Sequence, residues 1–377
     1  MISKSKSKAE AEAEAEAEAE AEAESKSRAG SESDSGADSD LVSELVPEEG
    51  IADAGIPYAG LSPEIVLDAV EAAGFRSDGR QLALNSYENR VYQVGVEDAR
   101  PVVVKFYRPG RWSDEAILEE HAFSLELADA EIPVVAPLRI QGKSLLRHHD
   151  YRYAVFASCG GRWPELGTRE DRNMVGRFLG RIHLVGSRAG FEHRQDIDPA
   201  RLGGESCDWL LEQGWLPSHL EEAYDSLTVS LMEAVYARFD NAGAYRELRI
   251  HGDCHPGNIL WTDSGPHFVD LDDCVTGPAV QDLWMLLSGE ADEMRLQLGQ
   301  ILEGYNAFSN FDPRELWLIE ALRTLRIIHY SAWLARRWQD PAFPRAFPWF
   351  GESRFWEEHI LALREQASAL QEAPLQP

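Results

Sequence analysis

The chain has 377 residues, 44% of them apolar and 10% aromatic, which is enough to bury a substantial core and to build two domains or one large two-lobed one. Its formal net charge of −29 argues against nucleic acid and anionic membrane surfaces as partners. No apolar run nears the ~20 residues of a bilayer span, the start leads into charge rather than an apolar leader, and the four cysteines form no CxxC pair, which suits a reducing cytoplasm.

Residues 1–56 read as a disordered acidic tail. Ala9 to Glu24 is eight Ala-Glu dipeptides, flanked by Ser/Lys-rich and Ser/Asp-rich runs. Residues 1–50 hold 5 Lys/Arg against 15 Asp/Glu, a net −10, so the remainder still carries −19. Glutamates four apart repel along a helix, and no apolar face exists to dock on a core. A solvated spacer is the plain reading, and an acidic interaction arm the alternative.

The folded part starts near Pro57. Ser62-Pro63-Glu64 caps a helix to Ala73, closed by Gly74. Strands are predicted at 82–84, 90–96 and 101–107, then a helix over 113–128 and strands at 138–140 and 151–157. Beyond residue 50 the chain has only two lysines, Lys105 and Lys143, and Lys105 interrupts the apolar strand Val102-Val103-Val104-Lys105-Phe106. A buried ammonium is costly unless paired. A nucleotide phosphate and a helix carboxylate would suit it, against the bland alternative of a snorkelling edge-strand lysine.

Past Cys159-Gly160-Gly161 the pattern turns helical, with helices predicted at 169–183, 205–212, 218–240, 281–287, 294–308 and 313–338. One hairpin interrupts them. Ile259-Leu260-Trp261 reads as a strand, Thr262-Asp263-Ser264-Gly265 as a turn, and His267 to Leu271 as the returning strand. That hairpin brings Asn258 and Asp270 to one edge, with Asp253 on the loop leading in. Phosphoryl transfer needs such a set: a carboxylate to orient a hydroxyl, and an amide and a carboxylate to hold Mg2+. The bland reading is a polar turn with solvated carboxylates. His251, Cys254 and His255 fit no common zinc spacing. Overall, a small β-rich lobe (57–160) precedes a larger helical lobe (161–377), an α+β arrangement with a cleft suited to a nucleotide.

The loop His251-Gly252-Asp253-Cys254-His255-Pro256-Gly257-Asn258 with Val269-Asp270 resembles the HGDxHxxN loop of the aminoglycoside phosphotransferase and choline kinase group, which has the protein-kinase-like fold. Leu84 to Gln93, Val103 to Pro109, Gly277 to Leu287 and Asp340 to Pro344 are similar to one branch, the bacterial stress response kinase A family. The resemblance spans about 57–375 and excludes the tail. It implies ATP as co-substrate, Asp253 as catalytic carboxylate, and Asn258 and Asp270 as magnesium ligands. It further implies Lys105 on the α/β-phosphates with Glu120 as its helix partner, Glu119 being the alternative. Ser86 would lie on the phosphate-covering loop, 157–159 would be the hinge, and Asp282 would brace the catalytic loop through backbone amides.

Departures from ordinary protein kinases are clear. Asn85 to Asn89 replaces a GxGxxG loop, Leu-Asp-Asp follows Asp270, and no Ala-Pro-Glu segment occurs. Asp272 and Asp273 either add a metal contact or solvate a turn. The aromatics Trp209, Trp215, Trp317, Trp333, Trp338 and Trp349 line an acceptor pocket or form core. Arg323, Arg326, Arg336 and Arg337 face an anionic acceptor or pair with the acidic surface. The expected function is a monomeric, cytoplasmic, ATP-dependent serine/threonine kinase of proteins, itself included, acting in stress response. A small-molecule kinase and a nucleotide-binding regulator are the competing readings.

Overall fold

The computed structural model describes residues 56–84 and 86–377. The Ala-Glu repeats and the rest of the acidic tail before Ile56 lie outside them, as does Asn85.

The N-terminal lobe opens with α1 (Pro63–Ala72), whose first turn is fixed by Pro63 and by Ser62 accepting from the Ile65 amide. A five-stranded sheet follows: β1 (Ser77–Ala83), β2 (Arg90–Val96), β3 (Val102–Phe106), β4 (Leu146–His148) and β5 (Tyr151–Ala157), with α2 (Asp114–Asp129) between β3 and β4. The strand order is β1-β2-β3-β5-β4, and all neighbours are antiparallel. Alternation sets the faces of β3. Val102, Val104 and Phe106 bury against α1 residues Val66, Ala69 and Val70, so Lys105 projects to the opposite face.

The C-terminal lobe is built from α3 (Arg169–Gly186), α4 (Glu205–Glu212), α5 (Ser218–Ala242), α6 (Gln281–Trp284), α7 (Ala291–Tyr305), α8 (Ile319–Arg336), α9 (Ala342–Ala346) and α10 (Ser353–Ala369). Thr168 and Asp171 close a reciprocal capping box at the start of α3. Helices α3 and α7 approach unusually closely: a Cβ on Gly176 would stand 2.0 Å from the Ile301 carbonyl oxygen. Two short antiparallel ribbons carry the site. One pairs β6 (Glu247–Ile250) with β9 (Val275–Pro278), and the other pairs β7 (Ile259–Thr262) with β8 (Gly265–Phe268).

Several elements differ from the sequence expectation. The 138–140 segment makes isolated bridges only, and the edge strand is 146–148. The helical lobe holds two ribbons rather than one hairpin, and the returning strand stops at Phe268. The segment 313–318 is a 3-10 turn before α8, and a π turn over 200–204 precedes α4. Trp209, Trp215, Trp333 and Trp338 pack against the C-terminal core, and Trp317 against the central one.

Candidate functional site

The loop between β6 and β7 is held from below by Asp282 at the start of α6. Its two carboxylate oxygens accept from the His251 and Gly252 amides, both at 2.8 Å, and one also meets His183 Nε2 at 2.9 Å. Asp282 is fully buried, and these bonds satisfy it. Gly252 takes a φ of +87°, and a Cβ there would stand 2.1 Å from the Asp273 carbonyl oxygen, so only glycine fits this crossing. His251 Nε2 reaches the Val269 carbonyl at 2.9 Å, which ties the loop to the segment after β8.

On this base Asp253 and Asn258 face each other. The Asn258 amide donates to the Asp253 carbonyl at 2.9 Å and to its carboxylate at 3.3 Å. Arg326 of α8 donates to the other Asp253 oxygen at 2.7 Å, and His255 Nε2 lies 3.5 Å away. Burial pushes the Asp253 carboxyl up, but Arg326 and His255 outweigh it and hold it well below the usual range. Asp270, directly after β8, adopts a left-handed conformation with φ 56° that swings it off the ribbon toward β3.

There Asp270 meets Lys105. The ammonium is 2.8 Å from Asp270, 3.1 Å from Asp272 and 3.7 Å from Glu120. It is only 6% exposed. Burial alone would lower its pKa, but the three carboxylates raise it well above the ordinary value, so it stays charged. Burial raises the Glu120 carboxyl to about 7 despite Lys105. Glu119 points elsewhere, accepting from the Glu192, His193 and Arg194 amides at 2.7–2.9 Å. The helix partner beside Lys105 is therefore Glu120.

Asp272 does not solvate a turn. It is buried between Lys105, Asn89 and Arg111, and Asn89 donates to it at 3.1 Å. Arg111 also pairs with Asp273. Sequence reasoning missed this network. Glu88 takes Arg108 at 2.9 Å, Arg337 at 2.5 Å and the Trp333 indole at 2.7 Å, while Asp340 takes Arg108 at 2.7 Å and Arg90 at 3.0 Å. The connection between β1 and β2 is thereby pinned to α8 and the segment after it. Ser86 lies on that connection, half-buried.

Asn258 and Asp270 both carry oxygens that could meet a divalent cation. Asn258 uses its NH2 on Asp253, which orients its carbonyl oxygen away, and the Asp270 side chain is 50% exposed. Both are hard oxygen donors of the kind Mg2+ takes together with substrate phosphates. Among the described residues no group of three or more His, Cys, Asp or Glu side chains is arranged to hold a metal, and no helix is long and apolar enough to cross a membrane.

Comparison with known proteins agrees with this geometry. A family model described as "Phosphotransferase enzyme family" matches residues 80–319. Stress response kinase A of Escherichia coli strain K12 is 48% identical over 319 residues, covering 85% of this chain and 96% of that protein. A Salmonella typhimurium protein named serine/threonine protein kinase RdoA is 47% identical over 324 residues, covering 86% and 98%. Among solved structures, amicoumacin kinase hAmiN in complex with AMP-PNP, Ca2+ and Ami superimposes with a TM-score of 0.65 at 19% identity, covering 83% of this chain and 95% of that one. A microcompartment-associated aminopropanol kinase gives 0.59 at 19%, covering 82% and 98%.

Proposed function

From the premise that the chain belongs to the phosphotransferase enzyme family and, within it, to the stress response kinase A family, and so is an ATP-dependent kinase phosphorylating a hydroxyl, we propose that its acceptor is a serine or threonine of a protein, itself included, in bacterial stress response. The observation that carries this reading is the match at 47–48% identity over almost the whole length of relatives named stress response kinase A, one of them named a serine/threonine protein kinase.

The roles follow from position. The lobes divide near residue 160, with the 157–159 segment as the hinge that offers backbone groups to adenine. Lys105 neutralises the α/β-phosphates, and buried Glu120 keeps its ammonium aimed. Ser86 covers the phosphates from the β1–β2 connection. Asn258 and Asp270 would hold Mg2+, which would supply positive charge to the phosphates and the transferred group. Asp253 orients the acceptor hydroxyl. Its depressed pKa makes it a weak base, so positioning matters more than proton abstraction. A monomer in the cytoplasm suffices for all of this.

A small cationic acceptor, as for an aminoglycoside or choline kinase, is the less favoured reading, because the group facing Asp253 from α8 is the Arg326 guanidinium. The test is incubation of the purified chain with labelled ATP and Mg2+, alone, with a generic protein and with a panel of small alcohols. The expected result is label on the chain itself, lost in Asp253→Ala. Transfer confined to a small alcohol would overturn the protein acceptor.

A further inference from the structure

Lys105, Glu120 and Asp270 come from three separate pieces of chain: β3, α2 and the segment after β8. A loop that the kinase roles leave unused, residues 192–197, runs between α2 and the end of that last segment. On one side it is stitched to β9: the Thr276 amide donates to the Gln195 carbonyl at 3.1 Å, and the Ile197 amide donates to the Thr276 carbonyl at 2.9 Å. On the other side the Glu192, His193 and Arg194 amides donate to Glu119 of α2. Arg194 reaches inward from the middle of the loop. Its guanidinium is buried, with the residue only 5% exposed. Nη1 donates to the Ala116 carbonyl of α2 at 3.0 Å, Nε to the Cys274 carbonyl at 2.5 Å, and Nη2 to the Asp272 carbonyl. The cation also lies over the Trp112 ring at 4.3 Å.

Burying such a cation is costly unless it is fully bonded and faces negative charge, which Glu120, Asp272 and Asp273 supply nearby. In an α-helix the Ala116 carbonyl also receives the amide four residues on, which is that of Glu120. One guanidinium therefore touches both the turn that carries Glu120 and the carbonyls on either side of Asp273, just after Asp270. A planar fork of fixed donors suits such a three-way contact better than a flexible ammonium. The contact is one of a row. Ala116, Glu119, Phe123, Glu126 and Ala130 recur at helical spacing along one face of α2 and its C-cap, and each meets the C-terminal lobe. Arg249 donates to Glu126 at 2.7 Å and lies over the Phe123 ring at 4.6 Å, and Arg181 donates to the Ala130 carbonyl at 2.8 Å. Helix α2 is thus tied to the C-terminal lobe along its length, although the chain places it between two strands of the N-terminal sheet.

We propose that Arg194 is a positioning residue for phosphoryl transfer, which registers the Glu120 turn of α2 against the main chain that follows Asp270. When a nucleotide takes up Lys105 and Asp270, the direct ion pair between them at 2.8 Å gives way. The bonds of Arg194 go to main-chain carbonyls and persist through that exchange. Lys105, aimed by Glu120, and Asp270 then meet one nucleotide in one geometry. This inference rests on the roles proposed above for Lys105, Glu120 and Asp270, and it holds whichever hydroxyl is the acceptor.

The test compares Arg194→Met, Arg194→Lys and Glu119→Gln in the full chain. Affinity for AMP-PNP is measured by isothermal titration with and without Mg2+. ADP formation is followed with enzyme in excess over ATP, and denaturant melts report stability. Arg194→Met should slow ADP formation by about 10–100-fold, the range for residues that orient metal ligands. It should also shrink the gain in AMP-PNP affinity that Mg2+ gives the wild type, while binding AMP-PNP without Mg2+ as the wild type does. Arg194→Lys keeps the buried charge without the three-way fork and should share both losses, so it decides the matter if Arg194→Met does not fold. Glu119→Gln loosens the same loop but leaves the guanidinium in place, and should keep both the rate and the Mg2+ gain. Losses in Arg194→Lys no greater than in Glu119→Gln would make Arg194 a stability residue only; they overturn the inference and leave the kinase roles standing. AMP-PNP affinity that neither Mg2+ nor Lys105→Met alters would overturn those roles, and the inference with them.

Discussion

Lys105 shows how one residue carries most of the site's electrostatics. Its ammonium, buried among Asp270, Asp272 and Glu120, offsets carboxylates that could not otherwise share that space. Lys105→Met should therefore cost about 3–5 kcal/mol of stability by stranding buried carboxylates, besides weakening ATP binding; denaturant melts with nucleotide titration separate the two. The neighbouring glutamates give a cleaner contrast. Glu120→Gln should weaken ATP affinity by roughly tenfold, about 1.4 kcal/mol. Glu119→Gln should cost on the order of 1 kcal/mol through weaker bonds to the 192–194 amides and leave ATP affinity unchanged. Isothermal titration of both variants decides it, and equal losses of affinity would contradict the assignment. Lys105 was legible in the sequence because lysine is so rare there. The choice between Glu119 and Glu120 was not, because adjacent helix positions differ by a rotation that only packing fixes.

At the scale of elements, the catalytic loop is held by a chain of buried carboxylates. Glu315, on the 3-10 turn before α8, accepts from the Val280 amide at 2.9 Å, next to the short helix that carries Asp282. Burial is the main cause that raises its carboxyl from 4.5 to about 7. The folded chain thus holds this proton more tightly than the unfolded one, so the contribution is present below about pH 4.5 and lost as pH rises through about 7. Glu315→Gln, which keeps the acceptor oxygen, should flatten that slope by about 2–3 kcal/mol between pH 5 and 7; chemical denaturation across that range measures it.

Strong periodicity was readable in the sequence: α4 and the strands β2 and β5 have the expected bounds. The ribbon β6–β9 was missed because each strand has four residues and its partner lies far along the chain, so no local pattern marks it. The 138–140 segment looked like a strand from its apolar residues. It forms only isolated bridges behind Pro137, which cannot donate to a ladder. The Asp-Leu-Asp-Asp run suggested a solvated turn or metal contact. Arg111 and Asn89, both distant in sequence, bury Asp272 instead.

For the whole molecule, the lobes are joined by charge as well as by chain. Glu88, Arg90 and Arg108 on one side meet Trp333, Arg337 and Asp340 on the other. Asp340→Ala leaves Arg90 and Arg108 unpaired at that contact and should lower stability by about 3–5 kcal/mol, read as a lower denaturant midpoint. This contact was invisible in the sequence, since its ion-pairing members are ordinary charged residues, Arg90 and Asp340 being 250 positions apart.

The central claim is that one cleft binds ATP through Lys105 and presents a hydroxyl at Asp253. Its most direct test is single-turnover phosphoryl transfer by Asp253→Asn, with ATP affinity measured on the same protein. A fall in rate of about 10²–10⁴-fold, with ATP affinity unchanged, is the predicted result. Transfer at the wild-type rate would contradict the account.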